Sequence, residues 1–196
     1  MQRSLNPTPV GSLLCLLGGA AVAILAMALP SAWQNALEYQ YRAIGDGELW
    51  RLITGHLVHL GRQHLLMNLL GLGLIWALLL RFETNLSCTL ALLLLSLGTS
   101  LGLYLLSPDL AWYRGLSGVL HGLLVWALLR QWRSSPGLHG IILGLVALKL
   151  IWEQSIGPLP GSAELASGRI VVEAHLYGAL SGALLGAVQV AKNKVD

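Results

Sequence analysis

Apolar residues run in long unbroken stretches along this chain, at about 11–30, 64–81, 86–106, 116–132, 138–156 and 170–190, and polar residues gather between them. Stretches of this length match the roughly 20 helical residues that cross a bilayer core. They do not alternate apolar with polar, as the strands of a membrane barrel must. The pattern predicts an all-α polytopic membrane protein, a six-transmembrane-helix bundle forming a single domain over 1–196. The first run ends in "AMALPSA", whose small residues would suit a cleaved leader. The five apolar segments that follow favour a retained first span. The long connection 31–63 carries Trp33, Tyr39, Tyr41 and Trp50, aromatics that prefer the headgroup region. It reads as a structured first outer loop with one or two short helices lying in the interface.

Composition agrees with this pattern. Only 11% of residues are charged, against about a quarter in a soluble domain, and mean hydropathy is +0.68. A net charge of +3 would hint at nucleic acid in a soluble protein. Here the basic residues sit at segment ends, so topology explains them and no nucleic-acid partner is expected. Arg3, Arg81, Arg130, Arg133, Lys192 and Lys194 fall on one side when the span count is even. The positive-inside rule makes that side, with both termini, cytoplasmic. The chain is then a multi-pass membrane protein whose connections 31–63, 107–115 and 157–169 face the side opposite the cytoplasm. Cys15 and Cys88 lie in or beside apolar segments without CxxC or Cys/His metal spacing, and read as small buried residues.

Polar side chains inside hydrocarbon are costly, and each is a candidate for function. Three groups stand out. In "HLLMNLLGLG", His64 and Asn68 are four apart and share a helix face; they could be catalytic or could simply hydrogen-bond between helices. In "YRGLSGVLHG", Ser117 lies between Gly115 and Gly118 at a helix start, where unpaired N–H groups favour an anion. His121 follows one turn later. In "EAHLYGALSGALLG", His175 leads a stripe of Gly178, Gly182 and Gly186 that suits close helix contact and would carry His175 towards a neighbouring helix. A serine beside a base, with donors for an oxyanion, makes the parts of an acyl-transfer site. Asp109 lies in an outer loop and Glu173 on the far side of its helix from His175, so a Ser–His dyad is expected rather than a triad. Lys149 reads as a lone charge snorkelling from its span, and His139 as a residue of the lipid interface.

This set resembles the rhomboid intramembrane serine proteases from "LWR" onwards. Trp50-Arg51, His64-x-x-x-Asn68, Gly115-Leu116-Ser117-Gly118 and Ala174-His175-x-x-Gly178-x-x-x-Gly182 match the family's motifs in order. The resemblance implies that Ser117 is the nucleophile and His175 the base. It implies an oxyanion hole of His64, Asn68 and the Ser117 backbone N–H, with Gly115 admitting the substrate carbonyl. Gly178 would let two helices close up. Many rhomboids carry an aromatic residue where His121 stands; here His121 would lie near His175, tuning it or packing on it. His59 would hold water or the loop, or sit at the interface. "GLSGVLHG" and "WRLITGHLVHLGRQHLLMNLLG" look like the rhombosortase branch. That branch is linked with membrane-anchored substrates bearing a C-terminal GlyGly-CTERM tail: a glycine motif, a transmembrane helix and a basic end. Partners are thus the lipid bilayer and tail-anchored proteins, with the need for an accessory membrane protein left open. No cofactor and no metal are implied: His56, His59 and His64 lack the HExxH pattern. Two other readings compete with this one. A non-catalytic, client-binding relative usually lacks the serine or the histidine. A transporter would need ionisable residues deep in several spans. A general rhomboid with other transmembrane substrates is the nearest alternative.

Overall fold

A computed structural model describes residues 12–192, and these are almost wholly helical. Residue 11 of the first predicted span, and Arg3 and Lys194 of the charge pattern, lie outside the described residues. Helix α1 (Leu13–Ala28) ends at Leu29, which turns extended because Pro30 follows it. The first outer connection holds α2 (Ser31–Leu37), a short strand β1 (Tyr39–Gln40), α3 (Tyr41–Gly45) and α4 (Arg51–Thr54). Then come α5 (Arg62–Ile75), which widens into a π-helical turn at Trp76–Leu80, and α6 (Asn85–Leu106), capped by the Thr84 hydroxyl. Strand β2 (Trp112–Tyr113) leads into α7 (Ser117–Arg130). The chain finishes with α8 (Pro136–Ser155), α9 (Ser162–Ala166) and α10 (Val172–Lys192).

Each predicted apolar segment is a helix, with ends moved by a few residues. Arg62–Leu80, Asn85–Leu106 and Pro136–Ser155 are long and apolar enough to cross a membrane, and α1 and α7 are shorter apolar helices. Leucines point outward along them: Leu14 is 73% exposed and Leu78 69%. Water would not tolerate that much apolar surface, whereas lipid does. The protein is a polytopic membrane bundle.

The innermost helix is α7. Its Val119, Leu123, Trp126 and Ala127 are buried, packed against α5 and α6. On its other side α7 meets α10 glycine to glycine. A methyl group on Gly118 would lie 2.7 Å from the Ala174 carbonyl oxygen. One on Gly178 or Gly182 would intrude still further, into the carbonyls of Gly118 and Gly122. The small-residue stripe read from the sequence is therefore the closest helix contact in the core.

The connection 31–63 departs from expectation. It contains three short helices rather than one or two, and β1 pairs antiparallel with β2, Tyr39 opposite Tyr113. Two residues are too few to show strand alternation in the sequence. Arg51 holds the connection together: its Nη1 donates to the carbonyls of Asn35 (2.8 Å) and Glu38 (2.7 Å), and its Nε to Glu48 (2.5 Å). Arg114 ties β2 to the same platform through Glu38 (2.5 Å) and Asn35 Oδ1 (2.6 Å). His139 is also corrected. It is buried in the first turn of α8 rather than set at the lipid interface. Cys15 and Cys88 are free thiols, Cys88 buried and Cys15 half-buried.

Candidate active site

Strand β2 delivers the chain to Gly115, whose φ of +127° is a conformation that side-chain-bearing residues rarely adopt. The turn there starts α7 at Ser117. The Gly115 carbonyl is held firmly, accepting from the Tyr113 hydroxyl (2.5 Å) and facing His56 Nδ1 (3.3 Å). His56 Nε2 in turn meets the Ser96 carbonyl (3.1 Å) and Ser100 Oγ (2.9 Å) on α6. The serine turn is thus anchored to α6 through the buried imidazole of His56.

The glycine seam of α7 and α10 brings His175 to the serine. Ser117 Oγ lies within hydrogen-bond distance of His175 Nε2, at 3.0 Å. The other ring nitrogen, Nδ1, is 2.9 Å from Glu153 Oε2. Lys149 Nζ lies 2.7 Å from the same oxygen. This corrects two expectations. An acid does face His175, and it comes from α8, not from the outer loop or from α10. Lys149 is not a lone snorkelling charge but the partner of Glu153, one turn away. A Lys/Glu pair at i and i+4 inside an apolar helix was the legible signal. Lys149 taken without Glu153 reads as a lone charge.

His121 donates from Nδ1 to the Ser117 carbonyl (2.8 Å), and its ring stacks on His175 at 4.3 Å between centroids, 21° from parallel. His121 thus packs on one face of the His175 ring. Atoms of His121, Glu153 and His175 approach within 4.8 Å of one another, as metal ligands can. Stacked rings direct their lone pairs side by side rather than onto one ion, and the Lys149 ammonium already neutralises the carboxylate.

His64 and Asn68 stand at the start of α5, both buried. His64 Nδ1 accepts the Leu60 N–H (3.4 Å), which leaves the ring proton on Nε2. A methyl at Gly115 would lie 3.0 Å from that Nε2, so glycine makes room for the ring as well as for the turn. The amide nitrogen of Asn68 has no partner among the described residues. Both side chains line a cavity of about 230 Å³ with Ser117 and His175, and Leu159 and Ser162 of the α8–α10 connection line it too.

Residues 46–192 match the Rhomboid domain family. The chain belongs to that family of intramembrane serine proteases. No curated protein matches it. Within this rhomboid the structure brings Ser117, His175, His64, Asn68 and His121 to one cavity, with Gly115 and Gly178 shaping the approach.

His59 lies just outside. It is buried rather than interfacial, edge-on to His64 at 5.1 Å, and donates from Nδ1 to the Leu57 carbonyl (3.1 Å). Burial pushes His59 down to about 3, with His64 and His56 adding repulsion, and burial likewise pushes His56 down to about 4. Unfolded, both would titrate near 6.5. Above about pH 6.5 neither state carries the charge and stability is full. As pH falls from about 6.5 towards about 4, the unfolded chain takes up protons that the folded chain refuses, and stability is lost. The thermal unfolding midpoint in detergent should therefore drop across this window, and His59→Phe should flatten the slope. A midpoint unchanged between pH 7 and 4.5 would contradict the assignment.

Proposed function

We propose that this rhomboid cleaves the C-terminal GlyGly-CTERM anchor of exported proteins, with Ser117 as nucleophile and His175 as base. The contact that carries the reading is Ser117 Oγ to His175 Nε2 at 3.0 Å, beside two donors on a third helix. Ser117 Oγ passes its proton to Nε2 and bonds the scissile carbonyl carbon. The oxyanion is met by His64 Nε2–H, the Asn68 amide and the Ser117 N–H. The C–N bond breaks as the leaving amine takes the proton from Nε2. Water, deprotonated by the same nitrogen, then releases the acyl group and restores the serine.

We read α1, α5, α6, α7, α8 and α10 as six spans of a single domain in the bacterial inner membrane, termini in the cytoplasm. Arg81, Arg130 and Arg133 support this by clustering at one end, where Arg130 pairs with Glu83 (2.7 Å). Ser117 and His175 begin their helices at the other end, so the cavity opens towards the periplasm. The likeness of "GLSGVLHG" to rhombosortases supports the substrate choice. The chemistry supports it too, because a transmembrane helix must unwind before its backbone can reach a serine, and glycine weakens helix by about 1 kcal/mol per residue.

The test is co-expression with a tagged protein ending in a glycine motif, an apolar helix and a basic tail, with products identified by mass spectrometry. The expected result is a cut near the glycines that disappears with Ser117→Ala. Cleavage confined to other transmembrane proteins would keep the rhomboid chemistry and overturn the anchor as substrate. Cleavage only when a second membrane protein is supplied would identify an accessory partner.

A further inference from the structure

We infer that Glu153 and Lys149 form a charge-balanced positioning pair that fixes the tautomer of His175, giving this rhomboid a Ser–His–Glu triad. The inference rests on the proposed roles of Ser117 and His175. Three observations carry it. First, Glu153 is a carboxylate only 3% exposed in a helix with much of its surface facing outward, and a buried charge is kept only where it is paired. Second, both of its neighbours reach one oxygen: His175 Nδ1 at 2.9 Å and Lys149 Nζ at 2.7 Å bind Oε2. Third, Lys149 Nζ stands 3.4 Å from His175 Nδ1, farther than the 2.9 Å contact of that nitrogen with Glu153, so the closer partner of Nδ1 is an acceptor.

An ionised carboxylate can only accept. It therefore requires the neutral ring to carry its proton on Nδ1, which leaves the Nε2 lone pair for the Ser117 hydroxyl. When Nε2 takes the serine proton, the imidazolium charge sits beside Glu153. The proton stays on Nδ1 throughout; no proton passes to the acid. Lys149 compensates the carboxylate in the resting state, so that the buried site carries no net charge before the reaction. It also holds Oε2 in place from one helical turn away. Glu153 and Lys149 are positioning residues: they act on His175 and do not touch the substrate. The stacked His121 ring holds the plane of the imidazole from one face, while Glu153 fixes its rotation within that plane.

Glu153→Gln discriminates, since the amide nitrogen can donate to Nδ1 and favour the wrong tautomer. Two readouts on the full chain in detergent are needed. One is the rate at which a fluorophosphonate labels Ser117: the Oγ–P bond forms, fluoride leaves and Nε2 takes the hydroxyl proton. The other is the tautomer of His175, read by nitrogen-15 NMR with His175→Asn for assignment. We expect Glu153→Gln to lower the labelling rate on the order of 10²–10³-fold and to move the ring proton to Nε2. Glu153→Asp should recover part of the rate and the Nδ1–H tautomer. Lys149→Met should lower the rate less than Glu153→Gln. Unfolding midpoints identify any variant lost to misfolding, and Glu153→Asp then carries the comparison. A folded Glu153→Gln with the proton still on Nδ1 and labelling within threefold of wild type overturns the inference. Wild-type protein that labels no faster than Ser117→Ala overturns the nucleophile instead, and the tautomer still decides the role of Glu153.

Discussion

Ser117→Ala and His175→Ala should each lower cleavage of a tail-anchored substrate by about 10⁴-fold or more, and the double variant should be no worse than either alone. Without the hydroxyl no acyl-enzyme forms. Without the imidazole the hydroxyl keeps its proton and is a poor nucleophile. In the proposed mechanism the two residues, 3.0 Å apart, act as one device, so removing the second part after the first should remove nothing further. What remains is the background supplied by the donors around the cavity, and His64→Ala in the Ser117→Ala background should bring that down again. The unfolding midpoint of Ser117→Ala should match wild type, because the hydroxyl fills no core position. The measurement is single-turnover cleavage in proteoliposomes. Losses that multiply in the double variant would mean that serine and histidine work in separate steps, and the shared-device assignment would fail.

The part of this site that was legible in the sequence is the part encoded by local spacing. His64 and Asn68 share a face because they are four apart, and a glycine every fourth residue after His175 makes a contact stripe whatever lies opposite. The helices themselves were legible because hydrocarbon leaves a long apolar run few alternatives to helix. What stayed hidden depends on partners distant in the chain. Glu153 carries no sequence motif that ties it to His175; only the placement of α8 beside α10 brings it to face that ring across 2.9 Å. His56 looked like a loop histidine until α6 supplied Ser96 and Ser100 on one side and Gly115 on the other. The β1–β2 ladder is fixed less by its own residues than by Arg51 and Arg114, which gather Asn35 and Glu38 from the far side of the connection. Pairings of this kind leave no period for a linear reading to find.

Gly178→Leu should abolish both the fold and the activity. The reason lies in the seam of α7 and α10, not in the chemistry. Already a methyl at this position would penetrate the Gly118 carbonyl, which is backbone and cannot swing aside as a side chain would. The helices must separate, and separation opens the core around α7 while leaving the added side chain no pocket to fill. Overpacking of a well-filled core costs about 1–3 kcal/mol even where side chains can move; against backbone the cost should exceed that, a large share of the stability of a small domain. Gly178→Ala is the finer probe. It should leave a folded bundle with the helices moved apart, and His175 rides on α10 only three residues before the substitution. A displacement of about 1 Å at a reacting pair can cost on the order of 10²-fold in rate. Cleavage by Gly178→Ala should therefore fall about that far, while substrate capture changes little. Gly144→Ala on α8 is the control, since a methyl there meets nothing within 4 Å. Unfolding midpoints and single-turnover rates for the three variants decide the matter. If Gly178→Ala cleaves as fast as Gly144→Ala, the approach of the two helices is not what sets the distance from serine to histidine.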